Sequence, residues 1–358
     1  MITLRDVAAD VGVSVSTVSL VLNDNDRGRV RPELADRIRA SADQLGYQPN
    51  LLARSLKLRK THTIGFLSES VASTPFSSDL LAGAQDAARA ARYQLIILDV
   101  DDLDDADATD EAARLLMQRD VEALIIATDY HREHALPPIV RRLPIVFLDC
   151  VPDAPEAHVS ATIVPDERAG ARAATERLLD LGHVRIAHIG VSDRDYIARG
   201  LRLQGYSEAL AARGIGVDPH LRIDAKDPST ASGRIAARHL LELPTELRPS
   251  AVFCFSDQIA WGVLQVAQQL GIAVPDDLAV IGFDNQRFIA EATLPALTTV
   301  QLPHRRMGEL ALEAALQAIA DPGIRSQRVV VDCPLVLRAS EGAARVGPFP
   351  TPEENNHE

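Results

Sequence analysis

Residues 3–23 read TLRDVAADVGVSVSTVSLVLN. Thr3 is suited to cap a helix that starts at Leu4. Leu4, Val7, Ala8 and Val11 recur on one face of that helix. Gly12 ends it at a position that needs a left-handed backbone. Val13 packs under the turn, and Ser14 caps a second helix whose inner face is Thr17, Val18, Val21 and Leu22. A small Ala8, a glycine four residues on and a buried valine six beyond that is the spacing of a helix-turn-helix, in which the second helix crosses close above the first. The second helix of such a motif enters a major groove with its N-terminal residues leading. Its outward positions here are Val15, Ser16, Ser19 and Leu20. Two helices of an ordinary bundle share this pattern, so the motif alone leaves both readings open.

Downstream, Pro32 to Leu45 is expected to form a third helix with Leu34, Ile38, Ala42 and Leu45 inward. Arg31 is a poor N-cap for it. Residues 47–60 follow as a cation-rich linker. From Thr61 the pattern changes. Apolar strands alternate with alanine-rich helices: THTIGFL, helix 78–92, YQLIILDV, helix 108–119, VEALIIAT, helix 133–142 and PIVFLDC. The alternation then restarts with helix 166–181, VRIAHIG, helix 199–213, LRIDAK, helix 230–243, SAVFCFS, helix 257–270 and LAVIGFD. Strands apolar on both faces and separated by helices predict parallel sheets covered on both sides. Two such series predict two doubly wound α/β lobes. LTTVQL, a helix over 303–320 and RVVVDCPLVLRAS complete the series. A tail rich in Pro, Gly, Glu and Asn from Glu341 is expected to be disordered.

Composition fits this division. The 358 residues carry a net charge of −13, with 46% hydrophobic and 24% charged residues. Residues 1–60 hold ten Lys or Arg against seven acids, so this segment is at +3 and the remainder at −16. A small anion-seeking module on an acidic body is the implied arrangement. No apolar run reaches the about 18–20 residues that span a bilayer, and the N-terminus lacks the apolar stretch of an export signal. Membrane partners are therefore not expected. Cys150, Cys254 and Cys333 lie far apart within apolar runs and read as buried free thiols. No metal site, cofactor site, phosphate loop or nucleophile–base constellation is present in the sequence, so no catalytic residues are assigned and an enzyme is not expected. His183 and His188 flank a strand without matching ligands and read as structural.

Six stretches together carry a specific resemblance: TLRDVAADVGVSVSTVSLVLN, LGYQPNLLARSL, LLDLGHVRIAHIG, GYSEAL, FSDQIAWGVL and VIGFDN. The chain resembles the lactose-repressor (LacI) family, over Thr3 to Leu56 for its headpiece and hinge and to about Ser340 for its sensor, which is similar to periplasmic sugar-binding proteins. The resemblance implies an all-α helix-turn-helix headpiece over 1–46, a hinge helix or linker over 47–60, an N-terminal sensor lobe over 61–162 plus 293–322, and a C-terminal lobe over 163–292 plus 323–340. The tail over 341–358 stands outside. It implies a homodimer on a palindromic double-stranded operator, working in the cytoplasm on the nucleoid. Expected DNA contacts are Thr3, Ser14, Val15, Ser16, Thr17, Ser19, Leu20, Asn23 and Arg29 in the headpiece, and Tyr47, Asn50, Ala53, Arg54, Leu56 and Lys57 in the hinge. In the family the leucine matching Leu56 wedges into the minor groove, where unstacking a step costs a few kcal/mol repaid by added contact.

Many relatives carry an arginine where this chain has Leu20. Leucine cannot read a guanine edge but can meet a thymine methyl, so the family's operator sequence does not carry over. For the sensor, the resemblance implies an effector held at the carboxyl ends of the strands, between the lobes. Phe76, Asp149, Arg202, Ser256, Asp257 and Asp284 are the expected contacts, and a sugar or similar polyol is the expected ligand class. Asp257 can equally serve as cap of a helix from Gln258, Asp284 as a turn residue, and Arg202 as partner of an acid. A regulator whose sensor has lost its ligand remains an alternative. A sugar-binding protein without DNA activity is a weaker one, because it would lack residues 1–60.

Overall fold

The computed structural model describes residues 2–47, 60–72, 74, 77–135, 137–140, 142–154, 158–192 and 196–344. The chain forms two compact units, which divide between His62 and Thr63.

The first unit holds three helices: α1 (Leu4–Val11), α2 (Val15–Leu22) and α3 (Pro32–Leu45). Val7, Ala8, Val18, Val21, Ala35, Ile38 and Ala42 form its buried core. The helix ends are chemically fixed. The Asp6 carboxylate accepts from the Thr3 amide at 2.7 Å and from its hydroxyl at 2.8 Å. Gly12 closes α1 in the left-handed region at φ 76°, a conformation that disfavours any side chain with a Cβ. Arg31 makes no side-chain cap on α3. Pro32 stands at the first position instead, where its fixed φ is already helical and its missing N–H costs nothing.

The second unit contains two six-stranded sheets. The first has the order β11-β5-β4-β3-β1-β2 and is parallel throughout. Its strands are β1 (Thr63–Glu69), β2 (Gln94–Val100), β3 (Ala123–His134), β4 (Ile145–Pro152), β5 (Val159–Pro165) and β11 (Gln327–Val331). Helices α4 (Ser78–Ala90), α5 (Ala106–Met117) and α11 (His304–Ala320) cover it. Two apolar clusters separate sheet from helices, one containing Phe66, Leu80, Val146, Met307 and Leu312, the other Leu67, Leu116, Leu124 and Phe147.

The second sheet has the order β12-β10-β9-β8-β6-β7. It comprises β6 (Ile186–Val191), β7 (Arg222–Ala225), β8 (Ala251–Cys254), β9 (Ala279–Asp284), β10 (Thr298–Gln301) and β12 (Leu335–Val336), the last antiparallel to β10. Helices α6 (Glu167–Asp180), α7 (Ile197–Ala212), α8 (Thr230–Leu241), α9 (Asp257–Gln269) and the short α10 (Arg287–Ala290) accompany it. The inner strands β6, β8 and β9 are buried along their whole length, as their unbroken apolar runs require. Edge strands β2 and β11 are only partly covered.

Four expectations are corrected. No α-helix forms among the described residues of 133–142. Instead β3 continues to His134, pairing Arg132, Glu133 and His134 with Cys150, Val151 and Pro152, before a single turn at Pro138–Val140. Pro137 and Pro138 remove two amide donors from the expected helix. The strand Val159–Pro165 adds to the expected set, its apolar run being interrupted by Ser160 and Thr162. The lobe boundaries also change. β10 belongs to the C-terminal lobe, where Leu297 and Val300 enter its two apolar clusters. β11 belongs to the N-terminal lobe, with Val329 and Val331 against its core. Finally, Glu341–Ala344 is ordered: Arg177 pairs with Glu341, the Gly342 carbonyl meets His183 Nε2 at 2.8 Å, and the Ala344 amide donates to Leu181. The expectation for 345–358 lies outside the described residues.

Candidate functional site

On the first unit, α2 presents its leading end to solvent. The Ser14 hydroxyl accepts from the Thr17 amide at 3.1 Å, which makes Ser14 the N-cap. Its oxygen also lies 2.7 Å from Ser16 Oγ and 2.8 Å from Thr17 Oγ1. Asn23 Nδ2 donates to the Ser19 carbonyl at 2.6 Å. The short polar side chains of this face are thus bonded to one another. Val15 is 40% exposed and Leu20 is half-buried. Thr3, Ser16 and Arg29 are exposed, and Thr17, Ser19 and Asn23 are half-buried. Tyr47 packs partly buried on the headpiece core, and burial raises its phenol pKa. The face is braced from behind: Ser41 Oγ donates to Asp10 at 2.5 Å, and Arg39 pairs with Asp26 at 2.9 Å. Among the described residues Arg5, Arg27, Arg29, Arg31 and Arg37 form no ion pair, which leaves their charges available to phosphates. Asn50, Ala53, Arg54, Leu56 and Lys57 lie outside the described residues, as does Phe76.

In the second unit, the carboxyl ends of both sheets converge between the lobes. Asp149 lies in the buried part of β4, one residue before that part ends, at φ 57° and is 2% exposed. Its Oδ1 has no hydrogen-bond partner among the described residues, while Oδ2 lies 3.6 Å from His304 Nε2. A shallow depression whose lining includes Asp79, Gln301, His304, Arg305, Arg306 and Glu309 adjoins this point, where the chain crosses from β10 to α11. The β3 extension contributes Asp129, Tyr130 and His131. Burial first, and Asp149 second, lift the Asp129 pKa to about 6. His131 is 1% exposed, and neither ring nitrogen has a partner among the described residues. Burial lowers its pKa, so the neutral ring is favoured. Tyr130 stacks on Tyr196 of the other lobe at 4.7 Å between ring centroids.

Arg202, at 1% exposure, is held on every side. Its Nε and Nη2 donate to the two Glu167 oxygens at 2.6 and 3.1 Å. Its Nη1 donates to the Phe255 carbonyl and, at 3.3 Å, to Asp284 Oδ1. The rings of Phe283 and Phe255 cover the guanidinium at 3.7 and 4.3 Å. Asp284 also accepts from Gln286 Nε2 at 3.0 Å. Burial raises the Asp284 pKa to about 6, with Arg202 opposing the shift.

Ser256 and Asp257 take roles different from those expected. Ser256 is the N-cap of α9, accepting from the Ile259 amide at 3.2 Å and donating to the Pro228 carbonyl. The helix starts at Asp257, which therefore does not cap it. Asp257 instead accepts from the Gln286 amide at 2.6 Å and from Thr299 Oγ1 at 2.5 Å, tying α9 to β10. Burial drives its pKa well up.

The structure thus brings Asp149, Arg202 and Asp284 to one inter-lobe region and assigns Ser256 and Asp257 to scaffolding. Sequence reading missed Glu167, Asp129, Tyr130 and His131. Glu167 resembles any acid in a first helical turn, and the other three sit where a loop and helix were expected. His183 and His188 make structural contacts: His183 bonds Ser250 and Gly342, and His188 bonds the Phe253 carbonyl between the rings of Tyr206 and Phe253.

Comparison with known proteins agrees with this architecture. Residues 3–50 match the family of bacterial regulatory proteins, lacI family, and residues 175–341 match a periplasmic binding protein-like domain. The chain is 35% identical over 341 residues to the ribose operon repressor of Escherichia coli (strain K12), covering 95% of this chain and all of that protein. It is 31% identical over 342 residues to the HTH-type transcriptional repressor PurR of Photobacterium profundum, covering 95% and 98%. Among solved structures, the lac repressor dimer bound to operator and the anti-inducer ONPF matches with a TM-score of 0.77 at 25% identity, covering 96% of this chain and 99% of that one. The complex of the transcriptional regulator CelR with cellobiose matches with a TM-score of 0.66 at 28% identity, covering 95% and 100%. No helix among the described residues is long and apolar enough to cross a membrane. This chain belongs to the LacI family: it is a DNA-binding transcription regulator with a helix-turn-helix headpiece and a two-lobed sensor of the periplasmic-binding-protein type, and not an enzyme.

Proposed function

We propose that the protein is a homodimeric repressor whose paired headpieces bind a two-fold symmetric operator, and whose inter-lobe cleft binds a sugar or related polyol that changes operator affinity. It works in the cytoplasm, on the nucleoid. The observation that carries the effector class is the buried Asp149, whose Oδ1 has no partner among the described residues, beside a His131 whose ring nitrogens likewise have none among them. Leaving buried polar atoms unpaired costs about 1–3 kcal/mol each. Hydroxyl groups, which donate and accept, relieve that cost at both residues. The relatives point the same way, one being named for the ribose operon and another solved with cellobiose. Ribose is the first effector to try. In the hinge, Leu56 is the proposed minor-groove wedge, with Arg54 and Lys57 on nearby phosphates.

Closure of the lobes on a ligand would alter the spacing of the two headpieces and so couple the two sites. The test combines thermal shift with operator binding. At 100 times its Kd, an effector that binds only the folded state adds about 2.7 kcal/mol of stability. A free sugar is expected to raise Tm and to shift operator affinity at least about 5-fold. A protein that binds a palindromic duplex but responds to no sugar would retain the regulator and refute the polyol sensor.

A further inference from the structure

Resting on the sensor reading above, we propose that Tyr130 stands in for the effector: its side chain joins the two lobes in the ligand-free protein, and a sugar binds by displacing it. Tyr130 is then a residue that sets how tightly the effector binds.

The placement begins with a break in a strand. β3 and β4 pair as far as Ala127 and Leu148 and resume at Arg132 and Cys150, so residues 128–131 of β3 stand opposite Asp149 alone. A bulge of this kind re-aims side chains beside a functional site. The Thr128 hydroxyl lies 2.7 Å from the Tyr130 carbonyl and 2.9 Å from the Asp149 carbonyl, which holds the bulge in shape. Beyond it, Arg132 pairs with Glu69 and, at 3.4 Å, with Asp104, both of its own lobe. The bulge is thus anchored to the N-terminal lobe at each end.

The Tyr130 side chain leaves that lobe. It packs against the apolar cluster of the other one, which contains Val191, Ala198, Phe255 and Ala290. Among the described residues, every other member of that cluster lies between Ala187 and Leu297. The ring stacks on Tyr196 with 27° between the planes. Burial first, then Asp284 and Asp129, raise the phenol pKa, and Arg202 opposes them. The carboxylates that act on the phenol therefore come from both lobes, and Asp284 and Arg202 are among the expected effector contacts. A hydroxyl that donates and accepts, carried on a ring that covers apolar surface, has the chemistry of a polyol. A sugar bridging the lobes would take over these contacts only by parting the two tyrosines.

The test measures, by calorimetry on the intact protein, the affinity for ribose and for other free pentoses and hexoses. Tyr130→Ala is expected to lower the Tm of the ligand-free protein and yet to bind the sugar about 3- to 10-fold tighter than wild type, the range that one aromatic pair is worth. A merely structural tyrosine would lower Tm without tightening the sugar. Tyr196→Ala removes the stacking partner from the other lobe, is expected to tighten binding over the same range, and decides the matter if Tyr130→Ala does not fold. Weaker or unchanged binding in the folded variant would overturn this inference while leaving a sugar sensor, with Tyr130 as a wall of its site or a bystander. Binding by the variant where the wild type binds no sugar would support it. Binding of no sugar by wild type or variants would sink the sensor reading and this inference with it.

Discussion

Val15 and Leu20 are the apolar members of a face whose hydroxyls are turned inward on one another. Such a face has little to offer a guanine edge and can instead cover thymine methyl groups. In an operator selected from random duplexes, replacing single thymines by deoxyuridine is expected to weaken binding about 4-fold at the positions under these two residues, the worth of about one buried methyl. Indifference to the missing methyl at every thymine would refute this mode of reading. The caps and the left-handed Gly12 were legible in the sequence because they are local: each depends on residues within about four positions. The pairing of Arg202 with Glu167 spans 35 positions and joins two helices, so no spacing announces it. The same holds for Asp257, whose partners Gln286 and Thr299 lie on other elements.

At the scale of elements, glycine decides how close helices come. A Cβ on Gly83 of α4 would collide with the Arg305 carbonyl, and one on Gly308 of α11 with the Leu80 carbonyl. The two helices therefore meet backbone to backbone over the first sheet. Gly83→Ala is expected to cost about 1–3 kcal/mol, read as a lower urea midpoint with m unchanged. A midpoint within error of wild type would show that the helices can part freely. Most strands could be read directly, because a strand buried on both faces has no polar alternation to disguise it. The β3 extension could not. Its sequence, TDYHREH, is polar because it leaves the sheet interior for the cleft, and polarity at a strand end looks like a loop. β10 and β11 were recognisable as strands, but nothing in a short apolar run says which of two sheets it joins.

At the scale of the whole sensor, Tyr130 and Tyr196 are a contact between lobes, reinforced by a backbone bridge between Arg132 and Tyr196. An aromatic pair is worth about 0.5–1.5 kcal/mol beyond its area, enough to bias an opening equilibrium several-fold. Tyr196→Ala is expected to enlarge the radius of gyration of the ligand-free sensor in solution scattering, and saturating effector should restore it. An unchanged radius would mean that the lobes are held elsewhere.

The lobes are also interleaved along the chain. β5 leads into α6 of the other lobe, β10 into α11, and β11 into β12. β11 completes the N-terminal sheet by pairing with β5, more than 160 positions earlier. On the ribosome, β5 therefore waits with an unpaired parallel edge while the entire C-terminal sheet except β12 is synthesised. An exposed edge of that kind is a template for wrong pairing, so the first lobe to emerge is among the last to be finished, and a premature stop codon just before Gln327 would damage both lobes at once.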